Sequence, residues 1–230
     1  MFDCALILAG GRGKRLRPFT DAIPKPMLPY GDKPILRHII DGMISYGINK
    51  FFLSVNYKKE IIKSYFGDGS KLGVQISYIE EKKPTGTVGC LTLFNEPCEY
   101  VLLSNGDVIA DIDYSAMFGV LKSSDLVITG IKRHINIDFG VLDVGEDGRL
   151  LSWEEKPSYE YIINAGVYGI NKRVIDFVKH NYEPETYLDM PDLWRALLDN
   201  DFSIKVYISE GKWEDIGRVE DYMRLLEKGV

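Results

Sequence analysis

The chain has 230 residues, of which 45% are apolar and 27% are charged, and its formal net charge is −6 at pH 7. The length fits one large α/β domain or two small ones. The composition is ordinary for a soluble globular protein, which excludes disordered and fibrous classes. The acidic balance argues against a nucleic-acid partner, because proteins that grip a phosphate backbone are usually basic.

The cysteines and the apolar runs indicate a cytoplasmic protein. Three sparse cysteines, Cys4, Cys90 and Cys98, form neither a disulfide framework nor a C-x-x-C pair. The apolar run from Cys4 to Ala9 is too short for a signal peptide, and no stretch reaches the length of a membrane span. We therefore expect reduced thiols, a cytoplasmic location and no membrane partner.

Short apolar runs alternate with helical patterns in the first half of the chain. The apolar runs predict β-strands at Cys4–Leu8, Phe51–Val55, Val74–Ile79 and Tyr100–Leu103. The helical patterns predict helices at Ile35–Tyr46, Lys58–Phe66 and Thr87–Phe94. This alternation favours an α/β fold of three Rossmann-like layers, in which helices flank a mostly parallel central sheet.

The alternation of predicted strands and helices ends at about residue 112. Strands are predicted at Leu126–Lys132, Phe139–Val144 and Leu150–Glu155, with a turn at Glu146-Asp147-Gly148, and they indicate a smaller antiparallel extension. Helices are predicted at Lys172–Lys179, Pro191–Asn200 and Val219–Lys228. No linker divides the chain, so we expect one domain over 1–230, with a first lobe at about 1–111 and a second at about 112–230.

A glycine-rich loop follows the first strand. It contains Gly10, Gly11 and Gly13, together with four basic residues within six positions, namely Arg12, Lys14, Arg15 and Arg17. Glycines let backbone N–H groups approach a phosphate, and arginine can grip phosphate oxygens with two hydrogen bonds. The simpler interpretation is a tight turn with solvated basic side chains. Neither the Walker A pattern nor the dinucleotide pattern G-x-G-x-x-G is present.

A proline-rich segment follows the glycine loop. Pro24, Pro26 and Pro29 stiffen the backbone around Lys25, so this lysine can be aimed in one direction. The loop followed by Pro-Lys-Pro-Met resembles the sugar-phosphate nucleotidyltransferase family, the nucleotide-sugar pyrophosphorylases. The stretches at 188–193 and 215–222 resemble its single-domain sugar-1-phosphate guanylyltransferases. Matching segments lie near 80–90, 104–107, 154–157, 164–168 and 213–217.

The resemblance implies a Mg²⁺-dependent enzyme that transfers a nucleoside monophosphate from a nucleoside triphosphate to a sugar 1-phosphate and releases pyrophosphate. It implies that Arg15 and Lys25 are catalytic residues that neutralise phosphate charge. It implies that Asp107 and Asp215 bind the Mg²⁺ ion. The nucleotide-binding residues that it implies are Leu8, Ala9, Gly10, Gly11, Gly13, Glu81, Gly86, Thr87 and Asp107.

The same resemblance implies a sugar-phosphate site in the second half of the chain. Its residues would be Gly140, Glu155, Lys156, Asn164 and Gly166. Lys156 would bind the sugar phosphate, while Glu155 and Asn164 would bind sugar hydroxyl groups. Considered alone, these residues fit better with a charged hairpin face and an ordinary strand glycine than with a sugar-phosphate site.

The loop after the third predicted strand indicates which nucleotide base the protein recognises. Its P-x-G-T-x-G core resembles the guanylyltransferase branches, and the Glu81 carboxylate could accept both N1–H and N2–H₂ of guanine. Thr85 stands where those branches usually carry leucine, so uracil, thymine and cytosine remain alternatives. GTP is favoured, and the sugar 1-phosphate is expected to be of the mannose, glucosamine or heptose type.

Two other functional classes remain open. A non-catalytic relative could bind a nucleotide sugar as a regulatory subunit, although such a protein would be expected to have damaged motifs. A cytidylyltransferase acting on a phosphorylated alcohol would carry a similar glycine loop, but the sugar-side segments argue against it. The family resemblance also makes a homodimer possible.

Overall fold

The computed structural model describes residues 1–228. The strands are β1 (Cys4–Leu8), β2 (Pro29–Tyr30), β3 (Lys33–Pro34), β4 (Lys50–Val55), β5 (Gln75–Glu80), β6 (Tyr100–Asn105), β7 (Val108–Ala110), β8 (Leu126–Asn136), β9 (Val141–Val144), β10 (Leu150–Glu154), β11 (Ser158–Asn171), β12 (Ile204–Ser209) and β13 (Trp213–Asp215). The helices are α1 (Phe19–Ala22), α2 (Ile35–Ile44), α3 (Lys59–Phe66), α4 (Tyr114–Leu121), α5 (Lys172–Asn181), α6 (Met190–Leu198) and α7 (Val219–Lys228).

A seven-stranded sheet runs through the molecule in the order β12-β8-β11-β6-β1-β4-β5. Neighbouring strands are parallel except at β11, which runs antiparallel to both β6 and β8. The predicted mostly parallel sheet is therefore confirmed. The strands β8, β11 and β12 come from the predicted second lobe and lie in the same sheet as β1, and the division into one domain with two lobes stays a prediction.

Buried side chains cover both faces of the sheet. In β1, Ala5 and Ile7 point into one core, which helices α2, α3, α4 and α7 complete. Cys4 and Leu6 point into the other core, together with residues of α5 and α6. Because successive strand residues point to opposite faces, the continuous apolar run of β1 is what a strand between two helical layers requires. The three-layer arrangement is thus confirmed.

One predicted helix is wrong. Residues Thr87–Phe94 form only a short 3-10 turn at Gly89–Leu93. The backbone N–H of Val88 donates to the carbonyl of Leu188 at 3.1 Å, so this stretch is tied to a distant segment at its beginning. An apolar run that is buried by tertiary contacts on several sides can mimic a helical pattern in sequence.

An antiparallel extension projects beyond the sheet. The distal parts of β8 and β11 leave the sheet as a pair, which continues to the partners Asn136 and Ser158. The strands β9 and β10 then form a hairpin around the predicted turn. The expected antiparallel extension is confirmed, although its longest strand, β11, was expected only around residues 164–168. No helix in residues 1–228 is long and apolar enough to cross a membrane.

A buried carboxylate joins the edge of the sheet to α5. Asp125, just before β8, is 9% exposed and accepts hydrogen bonds from Asn171 Nδ2 at 3.0 Å, Arg173 Nη1 at 2.9 Å and Ser203 N at 2.9 Å. Burial alone would raise the pKa of Asp125, but these three donors outweigh burial and lower the pKa below its usual value.

We expect Asp125→Asn to lower the free energy of unfolding at pH 7 by about 1–3 kcal/mol, because it weakens hydrogen bonds to a buried charge. The folded pKa is depressed, so the stabilisation is present above the unfolded value of about 4 and is lost as the pH falls through the folded value. Urea unfolding at a series of pH values should therefore show the difference shrinking below pH 4. The exposed Asp32→Asn variant is the control, and equal stability of all three proteins at pH 7 would refute this account.

Candidate active site

A cavity of about 320 Å³ opens at the carboxyl ends of the parallel strands. The loops that follow β1, β5 and β6 meet there, as expected for an open parallel sheet. Residues from these three loops line the cavity together with two residues from a later segment. The lining residues are Leu8, Gly10, Gly11, Glu81, Pro84, Thr85, Gly86, Thr87, Asn105, Asp107, Tyr187 and Asp189.

Most of the predicted nucleotide-binding residues lie on the cavity wall. They are Leu8, Gly10, Gly11, Glu81, Gly86, Thr87 and Asp107. Ala9 and Gly13 lie off the wall. Ala9 is fully buried and its N–H donates to the carbonyl of Ser54 at 2.8 Å, while Gly13 packs against Lys25. The assignment of all nine residues to nucleotide binding stays a prediction.

The glycine loop packs against the side chain of Lys25. Gly13 has φ +58°, and a Cβ added there would lie 2.9 Å from Thr20 Cγ2 and 3.1 Å from Lys25 Cβ. A side chain at this position would therefore meet both strain and a clash. The carbonyl of Gly13 also accepts a hydrogen bond from Thr20 Oγ1 at 2.9 Å. The loop thus closes over the aliphatic part of Lys25 and fixes its direction.

Lys25 and Asp107 form an ion pair beside the cavity. Lys25 is only 8% exposed, and its Nζ contacts Asp107 Oδ2. A buried ammonium is costly unless it is paired, so this contact is required by the position of Lys25. The predicted catalytic lysine is therefore directed at the predicted metal ligand.

Asp215 lies next to this ion pair. The strand β13 pairs with β7 so that Asp215 is opposite Val108, and Ile216 N donates to the carbonyl of Asp107 at 3.3 Å. Burial of its carboxylate among protein atoms raises the pKa of Asp215, although part of the residue still contacts solvent. The neighbouring Asp107 charge raises this pKa further, whereas Lys25 and Arg15 oppose the increase.

The paired aspartates have the donor chemistry that Mg²⁺ requires. Mg²⁺ binds through one or two carboxylates and completes its shell with phosphate oxygens and water. Two close carboxylates raise the free energy of each other's charged form, and a divalent cation would relieve this repulsion. Across residues 1–228, no group of three or more His, Cys, Asp or Glu side chains is placed to hold a metal, so oxygens from a ligand would have to complete the shell.

The Glu81 carboxylate is engaged within the protein. Its Oε1 accepts from Ser54 Oγ at 2.5 Å, and its Oε2 accepts from Thr85 N at 3.1 Å and Thr85 Oγ1 at 2.7 Å. A carboxylate has about four acceptor positions, so three are used before a ligand arrives. Glu81 therefore holds the 81–87 loop in place. The expectation that it reads both guanine donors stays a prediction.

The predicted sugar-side residues fall into two groups. Gly140, Glu155 and Lys156 lie at the base of the hairpin, where an added Cβ on Gly140 would lie 2.9 Å from Glu155 Oε2. Asn164 and Gly166 form a turn within β11, in which Asn164 Oδ1 accepts from Gly166 N at 3.0 Å. None of the five is on the wall of the cavity as residues 1–228 define it.

The turn within β11 is connected to the aspartate pair. Trp213 Nε1 donates to the carbonyl of Ala165 at 3.0 Å, which joins β13 to the predicted sugar-binding strand at residues 164–168. An added Cβ on Gly166 would lie 2.6 Å from Asn105 Nδ2, and Asn105 lines the cavity. The turn therefore lies next to Asn105 of the cavity wall and is joined to the strand that carries Asp215, while the sugar-binding roles of its residues stay predictions.

Several cavity residues were not among the predicted site residues. Pro84, Thr85 and Asn105 belong to segments whose motifs were recognised, so their neighbours were the available signal. Asp189 lies about a hundred residues beyond Thr87, which it contacts, and Tyr187 is two residues before Asp189. The stretch at 188–193 resembles the family, but the resemblance gave no indication of this contact. Only the tertiary structure brings them to the cavity.

The mostly parallel sheet and the charged centre at its carboxyl edge define an α/β protein with a cleft suited to phosphorylated ligands. Residues 4–229 match the family described as Nucleotidyl transferase. The chain belongs to this family.

Curated relatives include sugar-phosphate guanylyltransferases. The chain is 37% identical to the D-glycero-alpha-D-manno-heptose 1-phosphate guanylyltransferase of Campylobacter jejuni, with 96% of this chain and 98% of that protein covered. It is 33% identical to the mannose-1-phosphate guanylyltransferase of Mycobacterium tuberculosis, with 96% of this chain covered. The chain spans only 62% of the length of the Mycobacterium protein.

A solved structure has a similar fold over the whole chain. The crystal structure of HddC from Yersinia pseudotuberculosis complexed with GMP-PN matches with a TM-score of 0.74 and 27% identity. The match covers 99% of both chains. The predicted fold class is therefore confirmed at the level of the complete sheet and its helical layers.

We expect Glu81→Ala to lower the free energy of unfolding by about 1–3 kcal/mol, because it leaves the buried Thr85 hydroxyl and N–H without their acceptor. Hydrogen exchange at the Thr85 amide should accelerate in the same variant. Chemical denaturation and exchange measured by NMR would check both effects.

The neighbouring Glu80 provides a matched control. Its exposed carboxylate pairs with Lys59 and Lys63, which lower the pKa of Glu80 to about 2. Exposed ion pairs of this kind contribute little to stability, so Glu80→Ala should have the smaller effect and leave Thr85 exchange unchanged. If Glu80→Ala is as destabilising as Glu81→Ala, Glu81 does not hold the loop.

Proposed function

We propose that the chain transfers a nucleoside monophosphate from a nucleoside triphosphate, with GTP favoured, to a sugar 1-phosphate of the mannose, glucosamine or heptose type. The observation that carries the proposal is the buried Lys25 paired with Asp107, next to Asp215 and at the rim of a cavity lined by the glycine loop. The names of the relatives from Campylobacter and Mycobacterium support the same reaction.

The reaction balances without a covalent protein intermediate. An oxygen of the sugar phosphate forms a bond to the α-phosphorus of the triphosphate, and the bond from that phosphorus to the β-phosphate oxygen breaks. Pyrophosphate leaves with the electron pair, and the product is a nucleotide sugar. In such phosphoryl-type transfers the protein chiefly aligns the reactants and neutralises charge.

The chain's own residues take the aligning and neutralising roles. Backbone N–H groups of the glycine loop would bind the triphosphate, and Arg15 and Lys25 would neutralise charge on the α-phosphate and on the departing pyrophosphate. Lys156 would hold the sugar phosphate. Asp107 and Asp215 would bind Mg²⁺, which would supply further positive charge to the phosphate oxygens.

The remaining expectations belong to the same proposal. Three free, buried cysteines fit a cytoplasmic location, and burial raises the pKa of the Cys90 thiol to about 12, which keeps it unreactive. Nucleic-acid and membrane partners form no part of the proposal, and a homodimer is carried only by the family resemblance.

An assay of pyrophosphate release with four nucleoside triphosphates and a panel of sugar 1-phosphates tests the proposal. We expect turnover that needs Mg²⁺, and a higher kcat/KM with GTP than with UTP, dTTP or CTP. Turnover that is no faster with GTP would make the chain a uridylyl- or thymidylyltransferase instead. Binding of nucleotide sugar without any turnover would favour a regulatory subunit.

We expect Asp107→Asn and Asp215→Asn each to reduce pyrophosphate release by at least about 100-fold, because each removes a carboxylate that would bind Mg²⁺ and so weakens the neutralisation of phosphate charge. Circular dichroism should show that the fold is retained. Asp111→Asn is the control, since Asp111 is exposed and lies outside the cavity wall, and it should keep turnover near the unsubstituted rate. Normal rates in either of the first two variants would remove that aspartate from the site.

A further inference from the structure

A segment distant in sequence is fastened to the loop that follows β5. Leu188 N donates to the carbonyl of Thr85 at 2.9 Å, and Val88 N donates to the carbonyl of Leu188 at 3.1 Å. Nearer the beginning of the same loop, Lys82 N donates to Glu185 Oε1 at 3.2 Å. The contacts run from residue 185 to residue 190, and we call this stretch the 185–190 segment. Two of its residues, Tyr187 and Asp189, line the cavity.

Asp189 is the centre of this attachment. Its Oδ1 accepts from Thr87 N at 3.0 Å and from Thr87 Oγ1 at 3.3 Å, and the same hydroxyl accepts from Met190 N at 2.8 Å. The contact is close, because a Cβ added to Gly86, which has φ +81°, would lie 2.5 Å from the carbonyl of Leu188. Asp189 therefore fixes the backbone of Thr87, which is a predicted nucleotide-binding residue, and the Leu188 carbonyl packs against Gly86.

The second oxygen of Asp189 orients an exposed aromatic ring. Asp189 Oδ2 accepts from the Tyr187 hydroxyl at 2.9 Å, and this hydrogen bond raises the pKa of Tyr187. The Tyr187 side chain is 62% exposed, yet it lines the cavity beside Gly86 and Thr87. An exposed ring adds little to core packing, so its fixed position at the cavity is not required by the fold.

We propose that Tyr187 forms a wall of the nucleotide pocket against which the base of a nucleoside triphosphate stacks, with Asp189 as the positioning residue. This inference rests on the proposed function, because the ligand is a nucleoside triphosphate. An aromatic ring suits this role since every base presents a π-face. Stacking does not distinguish bases by hydrogen bonding, so Tyr187 contributes affinity for all four nucleotides, and base choice is left to the 81–87 loop.

Equilibrium binding of GTP, measured by calorimetry on the full chain without sugar 1-phosphate, tests the proposal. Tyr187→Ala should weaken binding about 10-fold, which lies within the range for loss of one base–aromatic stack. Tyr187→Phe keeps the ring and should bind within about 3-fold of the unsubstituted chain, since one hydrogen bond outside the ligand is lost. UTP and CTP should also lose affinity in Tyr187→Ala.

Steady-state kinetics separate positioning from general damage. Asp189→Ala and Tyr187→Ala should raise the KM for the nucleoside triphosphate while kcat and the KM for sugar 1-phosphate stay unchanged. Tyr65→Ala is the matched control, because Tyr65 is also an exposed tyrosine, 45% accessible on α3, and lies outside the cavity wall. It should leave GTP binding unchanged.

The possible results distinguish this inference from the function on which it rests. If Tyr187→Ala binds GTP within 2-fold of the unsubstituted chain, Tyr187 does not stack against the base. That result would not contradict the proposed nucleotidyl transfer. An equal rise in KM for both substrates would show structural damage and would also overturn the stacking role of Tyr187. A chain that binds no nucleoside triphosphate at all overturns the proposed function together with this inference.

Discussion

The ion pair between Lys25 and Asp107 is the interaction on which the site depends. Lys25 is withdrawn from solvent, and an unpaired ammonium there would cost several kcal/mol in lost hydration. The glycine loop has to close tightly over its side chain, and Asp107 has to follow β6 at the edge of the sheet. The tight closure of the loop depends on Gly13, whose positive φ and missing side chain allow the backbone to pack against Lys25.

The charges around the ion pair do not cancel, because two carboxylates lie near one buried lysine. This excess negative charge determines which ligands the site can bind. Asp215 adds a second carboxylate beside a single buried cation, and its pKa is raised by burial first and by the Asp107 charge second. The excess negative charge fits a divalent cation, and the basic side chains of the glycine loop fit the phosphates that such a cation would accompany. The charged centre therefore suits a ligand that carries phosphate groups, which supports the proposed nucleoside triphosphate.

The sequence was sufficient to predict the parallel strands β1, β4, β5 and β6 of the sheet and the meeting of three loops at one edge. The apolar run of β1 indicated burial on both faces, and the rule for open parallel sheets then placed the loops after β1, β5 and β6 together. Asp107 and Asp215 could be paired only through the family resemblance, because sequence spacing carries no information about contacts between β7 and β13.

Other features required tertiary structure. The segment around Gly89–Leu93 has a helical apolar pattern, but its burial comes from contacts with residues 186–188 and with α5. The strand β12 has alternating apolar residues and was not predicted. Tyr187 lines the cavity from a segment distant in sequence, where its hydroxyl donates to Asp189. Glu81 was expected to face the base, whereas its hydrogen bonds to Ser54 and Thr85 show that it first organises its own loop.

A crystal structure of the chain with Mn²⁺ and a non-hydrolysable GTP analogue would test the charged centre most directly. The account predicts an anomalous peak within bonding distance of carboxylate oxygens of Asp107 and Asp215, with the phosphates of the analogue completing the shell and Lys25 released toward them. A manganese site elsewhere, with the Lys25–Asp107 pair unchanged and the phosphates away from the glycine loop, would contradict it.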